Sequence, residues 1–175
     1  MRLSLALASL VLGTRILSGW QAPVEGKLLE QLQRLFPSAS TFSPRTGSPP
    51  HFKAYKREPS GAQTLLGLAF WTTELEPLER AYDGPIKILV GMDPNGILSG
   101  IVVANHHEPY GYFSVDLPAF AAQFVGKDIR DPFKVGADID AVSRASISIT
   151  SATRAVRNSG RRISREVLNS ASATK

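Results

Sequence analysis

Hydrophobic and polar positions along the chain fall into segments of different period. From Val24 to Phe36, Leu28, Leu29, Leu32, Leu35 and Phe36 recur at helical spacing, which predicts a helix. Glu25 near its start and Arg34 near its end suit the helix dipole, and Pro37 ends it. Ser38 to Pro50 is rich in Ser, Thr, Pro and Gly and reads as loop. His51 to Lys56 alternates as a strand does, and Leu65 to Thr73 carries Leu66, Leu68, Phe70 and Trp71 in a stronger strand pattern. Ile86 to Met92 is a third strand. Asp93-Pro94-Asn95-Gly96 follows it as a turn, because Pro fixes φ at the second position and Asn and Gly tolerate φ > 0. Ile97 to Ala104 then returns, so these two strands are expected to form a β-hairpin.

Asn105 to Ser114 is polar and aromatic and reads as loop. Asp116 is expected to cap a short helix over Leu117–Phe124, with Pro118 in its first turn and Gly126 beyond its end. The last element is a helix from about Ser146 to Leu168. Ile149, Ala152, Val156, Ile163 and Val167 form its apolar stripe, and Arg154, Arg157, Arg161 and Arg165 form a separate basic one. Strands and helices do not alternate as in βαβ units, so the expected class is α+β, an antiparallel-rich β-sheet packed against helices.

Composition narrows the chemistry. The chain has 175 residues, 43% of them hydrophobic and 20% charged, which fits a globular fold. It contains no cysteine, which excludes disulfides, Cys-ligated zinc, iron–sulfur clusters and a thiol nucleophile. At the N-terminus, Arg2 precedes an apolar run from Leu3 to Gly13, too short to span a bilayer but suited to the core of a signal peptide. We expect a signal peptide over residues 1–22, with Ala22 as its last residue, and a single domain over residues 23–175; a buried amphipathic first helix is the alternative. The net charge of +5, with the arginine stripe, admits nucleic acid or anionic lipid as a partner. The export signal and the lack of a helix-turn-helix pattern argue against nucleic acid. A solvated helix face, or docking to an acidic redox partner, fits the stripe better.

No P-loop, GxGxxG, GxSxG or HExxH motif is present. Two constellations remain. Asp140-Ala141-Val142-Ser143-Arg144-Ala145-Ser146-Ile147-Ser148 is a hydroxyl-rich turn leading into the long helix. Free amides at a helix start favour an anion, and Arg144 adds a cation; ordinary helix capping is the competing explanation. Asn105-His106-His107-Glu108-Pro109-Tyr110-Gly111-Tyr112 follows a strand. Adjacent histidines on a strand point to opposite faces, which disfavours one shared metal ion, so no metal site is expected here. A cofactor-lining loop with planar side chains fits better, with a strand-end turn of exposed polar groups as the alternative.

In this order and at this separation, the two stretches resemble the FMN-binding domain family. That family includes flavin domains of the NqrC and RnfG subunits of ion-translocating redox complexes and the periplasmic N-terminal flavin domains of NosR type. Its attachment motif, Asp-x-x-Ser-Gly-Ala-Thr with a further hydroxyl nearby, is similar to DAVSRASIS: Asp140, Ser143 and Ala145 match, Ser146 stands at the acceptor Thr, and Ser148 is the nearby hydroxyl. NHHEPYG looks like the family's His-x-Glu-Thr-Pro-Gly loop, with the Thr missing and Tyr110 inserted. LFPSASTF, LLGLAFWTT, GPIKILVG and MDPNG extend the similarity to the NosR type over most of Leu28 to Val167.

The resemblance implies FMN attached through a phosphoester to Ser146 by a separate flavin transferase. It places Asp140, Ser143, Arg144, Ala145, Ser148, His106, Glu108, Tyr110 and Gly111 around the cofactor. It also implies a periplasmic electron carrier, membrane-associated or not, in a respiratory chain of NosR type related to nitrous oxide. Such a chain is a redox carrier rather than a stand-alone catalyst, with a membrane or periplasmic redox partner and no nucleic acid. NosR-type proteins continue into membrane helices and Cys-rich clusters, so the expectation here is the flavin module alone. Two departures matter. Arg144 replaces a Gly, which strains the chain if that position needs φ > 0 and otherwise supplies a charge to the phosphate. Ser146 lacks the methyl of Thr, which restricts the rotamer. A cofactor-free or non-covalent sensory module on the same fold, or a basic exported interaction protein, are the competing readings.

Overall fold

The computed structural model describes residues 26–169. The expected signal segment over residues 1–22 and the first two residues of the expected opening helix lie outside them. Five strands form an antiparallel sheet in simple chain order: β1 (Thr41–Phe42), β2 (Phe52–Arg57), β3 (Gln63–Trp71), β4 (Lys87–Met92) and β5 (Leu98–Asn105). Four α-helices accompany it: α1 (Gly26–Leu35), α2 (Thr72–Leu75), α3 (Pro118–Ala122) and α4 (Ser146–Ile163). The class is α+β, as the patterning predicts.

Both faces of the sheet are covered, which explains why its central strands read as nearly continuous apolar runs. Side chains alternate along a strand. Leu68 and Phe70 of β3, with Ile88, Val90 and Met92 of β4, therefore face α4 and pack on Ile149, Ala152, Val156 and Ile163. Ala69 and Trp71 of β3, with Leu89 of β4, face the other way and pack on Leu32, Leu35 and Phe36 of α1 and the residue after it. Gly67 permits that second layer to close: a Cβ there would lie 2.4 Å from the Met92 carbonyl oxygen and 2.7 Å from the Phe36 ring.

The expected β4–β5 hairpin forms, with Val90 opposite Ile101 and Leu89 opposite Val102. Its turn is closed by Asp93, whose Oδ1 accepts the amides of Asn95 at 2.8 Å and Ile97 at 2.9 Å. Gly96 takes φ +87°.

Three local expectations need correction. The stretch Ser38–Pro50 contains β1, a two-residue edge strand whose Thr41 pairs with Tyr55, and Thr46 bridges His51. Such short pairings leave no periodic signal. Asp116 does not cap α3: Leu117 holds the cap position without a side-chain bond, and Asp116 is engaged by His106 instead. The long helix is regular only to Ile163 and continues as a wider π-type turn over Ser164–Leu168.

Candidate functional site

The two stretches picked out in the sequence meet at the N-terminal end of α4, and a buried carboxylate joins them. Glu108, only 7% exposed, accepts the hydroxyl of Ser148 on Oε2, across forty residues of sequence. The same carboxylate accepts the backbone amides of Asp83 at 2.8 Å and Tyr82 at 3.3 Å. Three segments therefore converge on one side chain: the turn at Ala81–Gly84, the loop after β5 and the first turn of α4. Burying a carboxylate is costly unless its oxygens are bonded, and here both are. The chain just before this turn is tied to α4 by Arg154, which donates to Glu79 at 2.8 Å.

His106 braces the loop from inside. Its Nδ1 accepts the Glu108 amide at 3.0 Å, so the proton sits on Nε2, which donates to Asp116 Oδ1 at 2.8 Å. Gly111 lies against that ring: a Cβ there would come within 2.1 Å of His106 Cε1. His107 is exposed. The two histidines therefore do not share a ligand set, and no cluster among the described residues could hold a metal ion.

Between these segments opens a cleft of about 460 Å³, lined by Tyr82, Pro109, Tyr110, Arg144, Ala145, Ser146, Ile147 and Ser148. That volume lies in the range of small-molecule sites. Of the residues expected around a cofactor, Ser146, Arg144, Ala145, Ser148 and Tyr110 line it. Glu108 stands behind it, and His106 and Gly111 support the loop from outside it. Asp140 and Ser143 are exposed on the approaching turn, where the Asp140 amide donates to Gln123 Oε1 at 2.7 Å. Tyr82 was not found from sequence. The only signal was a turn-forming Asp83-Gly84 pair after an aromatic residue.

The polar end of the cleft suits an anion. Ser146 is exposed as the first residue of α4, no side chain caps the helix, and the first helical bond runs from the Ile149 amide to the Ala145 carbonyl at 3.0 Å. The amides of residues 146, 147 and 148 thus precede the bonded part of the helix, where the dipole favours negative charge. Arg144 is exposed, has no acidic partner among the described residues, and takes φ +66°. The left-handed backbone that a glycine would adopt without strain is therefore present, occupied by an arginine.

A second cleft of about 530 Å³ lies at the other end of α4, lined by Asn95, Ile129, Arg130, Arg161, Ser164, Arg165 and Asn169. Arg161 is committed to the fold there, donating to the carbonyls of Ile129 at 3.1 Å and Asp131 at 2.8 Å. This accounts for part of the basic stripe without invoking a ligand.

Residues 81–159 match the model of the FMN-binding domain family. The matched segment contains every residue that lines the Ser146 cleft, together with Glu108. More particularly, the chain is similar to the regulatory protein NosR of Pseudomonas aeruginosa, with 31% identity over 141 residues, covering 71% of this chain and 19% of NosR. The chain thus spans about a fifth of that relative's length.

FMN is the cofactor this family binds, and the residues present fit it. A hydroxyl, an arginine and unpaired helix-start amides suit its phosphate, while Tyr82, Pro109, Tyr110 and Ile147 offer apolar and aromatic surface for its ring system. Among the described residues, no helix is long and apolar enough to cross a membrane.

Proposed function

We propose that this chain is an electron-carrying flavoprotein module whose FMN is joined through its phosphate to the Ser146 hydroxyl. The observation that carries this reading is the exposure of Ser146 at the open start of α4, beside a ligand-sized cleft that Glu108 assembles from three segments. In the attachment step, Ser146 Oγ bonds to the FMN-side phosphorus of FAD. The pyrophosphate bridge breaks, AMP leaves, and the hydroxyl proton passes to a base of the flavin transferase or to water. Helix-start amides and Arg144 then hold the remaining phosphate charge. Bound flavin supplies one- and two-electron redox chemistry, and the protein's part is to orient it and shield it from water.

In the same proposal the module is exported by its N-terminal segment and works outside the cytoplasm, where it exchanges electrons with a membrane or periplasmic partner in a respiratory chain of NosR type. The link to nitrous oxide respiration, and a regulatory role like that in the relative's name, belong to the same proposal. The left-handed Arg144 favours a second reading, a phosphate held by charge alone without an ester.

Co-expression with a flavin transferase tests both. Covalent attachment predicts flavin absorbance that survives denaturation, an FMN adduct in the intact mass on the peptide containing Ser146, and loss of both in Ser146→Ala. An adduct retained in Ser146→Ala removes Ser146 from the role. A yellow protein that releases its flavin on denaturation supports the non-covalent reading, and a colourless one supports a cofactor-free module.

A further inference from the structure

Aromatic and aliphatic exposure gathers around the Ser146 cleft: Tyr82 is 71% exposed, Ile147 56% and Tyr110 46%. The two tyrosines that line the cleft are held differently. The Tyr110 ring leans on Phe113, with centroids 5.4 Å apart. The Tyr82 ring has no aromatic neighbour, and its hydroxyl has no hydrogen-bond partner among the described residues. Yet its backbone is tightly fixed. Ala81 donates its amide to the Gly84 carbonyl at 2.8 Å, Gly84 takes φ +109°, and the Tyr82 and Asp83 amides are both bound by Glu108. A rigid turn therefore presents an unpartnered aromatic ring to a cleft that Arg144 and Ser146 also line. A tyrosine so exposed, on a backbone so constrained, is poorly explained by stability, because its ring buries little surface in the protein itself.

We propose that Tyr82 is the stacking residue for the isoalloxazine ring, covering the flavin once Ser146 and Arg144 hold its phosphate. This rests on the FMN reading above and extends it to the residue that sets the ring's environment. An amphipathic ligand with an anionic end and a flat aromatic end matches a lining that combines Arg144 and Ser146 with Tyr82, Pro109, Tyr110 and Ile147. Contact between a phenol and a flavin ring quenches flavin emission. The excited ring takes one electron from the phenol and returns it on recombination, so no net oxidation remains.

The test uses the full chain loaded with FMN by the transferase, with loading measured by intact mass and absorbance. Wild-type protein is expected to emit weakly and to resist quenching by iodide. Tyr82→Leu is expected to keep its FMN load and its melting temperature, since the side chain is exposed, while emission rises several-fold and iodide gains access. Tyr82→Phe separates cover from electron donation: emission rises, but iodide protection stays near wild type. Equal loading with unchanged emission and iodide access in Tyr82→Leu overturns the inference while leaving the FMN reading intact. A wild-type chain that takes up no FMN at all overturns both.

Discussion

Removing the Glu108 carboxylate is the sharpest test of how the site is assembled. In Glu108→Ala three donors lose their acceptor: the Ser148 hydroxyl and the Asp83 and Tyr82 amides. Ser148 is only 4% exposed, so its hydroxyl is stranded, which costs about 1–3 kcal/mol. Tyr82 and Asp83 are exposed, so water satisfies their amides, and each of those bonds is worth only about 0.5–1.5 kcal/mol. The sum is about 2–6 kcal/mol, a large part of a typical domain stability of about 5–15 kcal/mol. For a chain of this size it corresponds to a melting temperature lower by roughly 4–24 °C. Ser148→Ala alone removes one donor and leaves the carboxylate two partners, so about 1–2 kcal/mol is expected. The double variant should cost less than the two singles added, with a coupling of about 1–2 kcal/mol, because both singles break the same bond. Thermal denaturation followed by circular dichroism measures all four proteins. If the two single costs add within about 0.3 kcal/mol, the carboxylate does not hold the helix start, and the account of the site is wrong.

Arg144→Gly relieves a left-handed residue whereas Arg144→Ala keeps the strain, so the glycine variant should be more stable by about 1 kcal/mol, and equal melting temperatures would refute the strain. Burial alone would raise the Asp138 carboxyl. Hydrogen bonds from the Lys134 amide, the Lys127 ammonium and the Phe133 amide outweigh that and hold it below the usual carboxylate range. A carboxyl depressed in the folded state stabilises above its unfolded value, about pH 4, and that contribution disappears as pH falls through the folded value. Asp138→Asn should therefore melt below wild type at pH 7, with the gap closing in acid; a gap independent of pH would contradict this. Gly67→Ala forces a methyl against the Met92 carbonyl and the Phe36 ring, and overpacking of this kind should cost about 1–3 kcal/mol in a chemical denaturation curve.

The sheet was legible where physics is local. The β4–β5 hairpin follows from two apolar runs around Asp93-Pro94-Asn95-Gly96, whose turn chemistry acts within four residues. The end of α1 follows from Pro37. The elements that escaped depend on partners far along the chain. β1 exists because Thr41 and Phe42 find Tyr55 and Ala54. Asp116 has the composition of a helix cap, but the His106 ring competes for its carboxylate and wins. The basic stripe on α4 illustrates the same point. Its spacing is plain in the sequence, but its meaning lies in Glu79 and in the carbonyls of Ile129 and Asp131, none of which a helical pattern reveals.

The site divides along a similar line. Ser146, Arg144 and Ala145 were found together because they share one turn, and a hydroxyl at a helix start carries its own physical rationale. Glu108 was found for the wrong structural reason: a carboxylate in a polar loop suggests contact with a ligand, whereas here it is buried and spends its oxygens on Ser148, Asp83 and Tyr82. This makes it a positioning residue, and it explains why His106 and Gly111 lie beside it without lining the cleft, since the ring and the missing Cβ fix the loop that carries Glu108. Tyr82 escaped because nothing in its neighbours marks it; only the folded chain brings the Ala81–Gly84 turn to the start of α4. Arg144 is the informative remainder. At a position whose backbone takes φ +66°, a glycine would fold more easily by about 1 kcal/mol, and under the proposed function the charge that Arg144 brings to the phosphate is what offsets that cost.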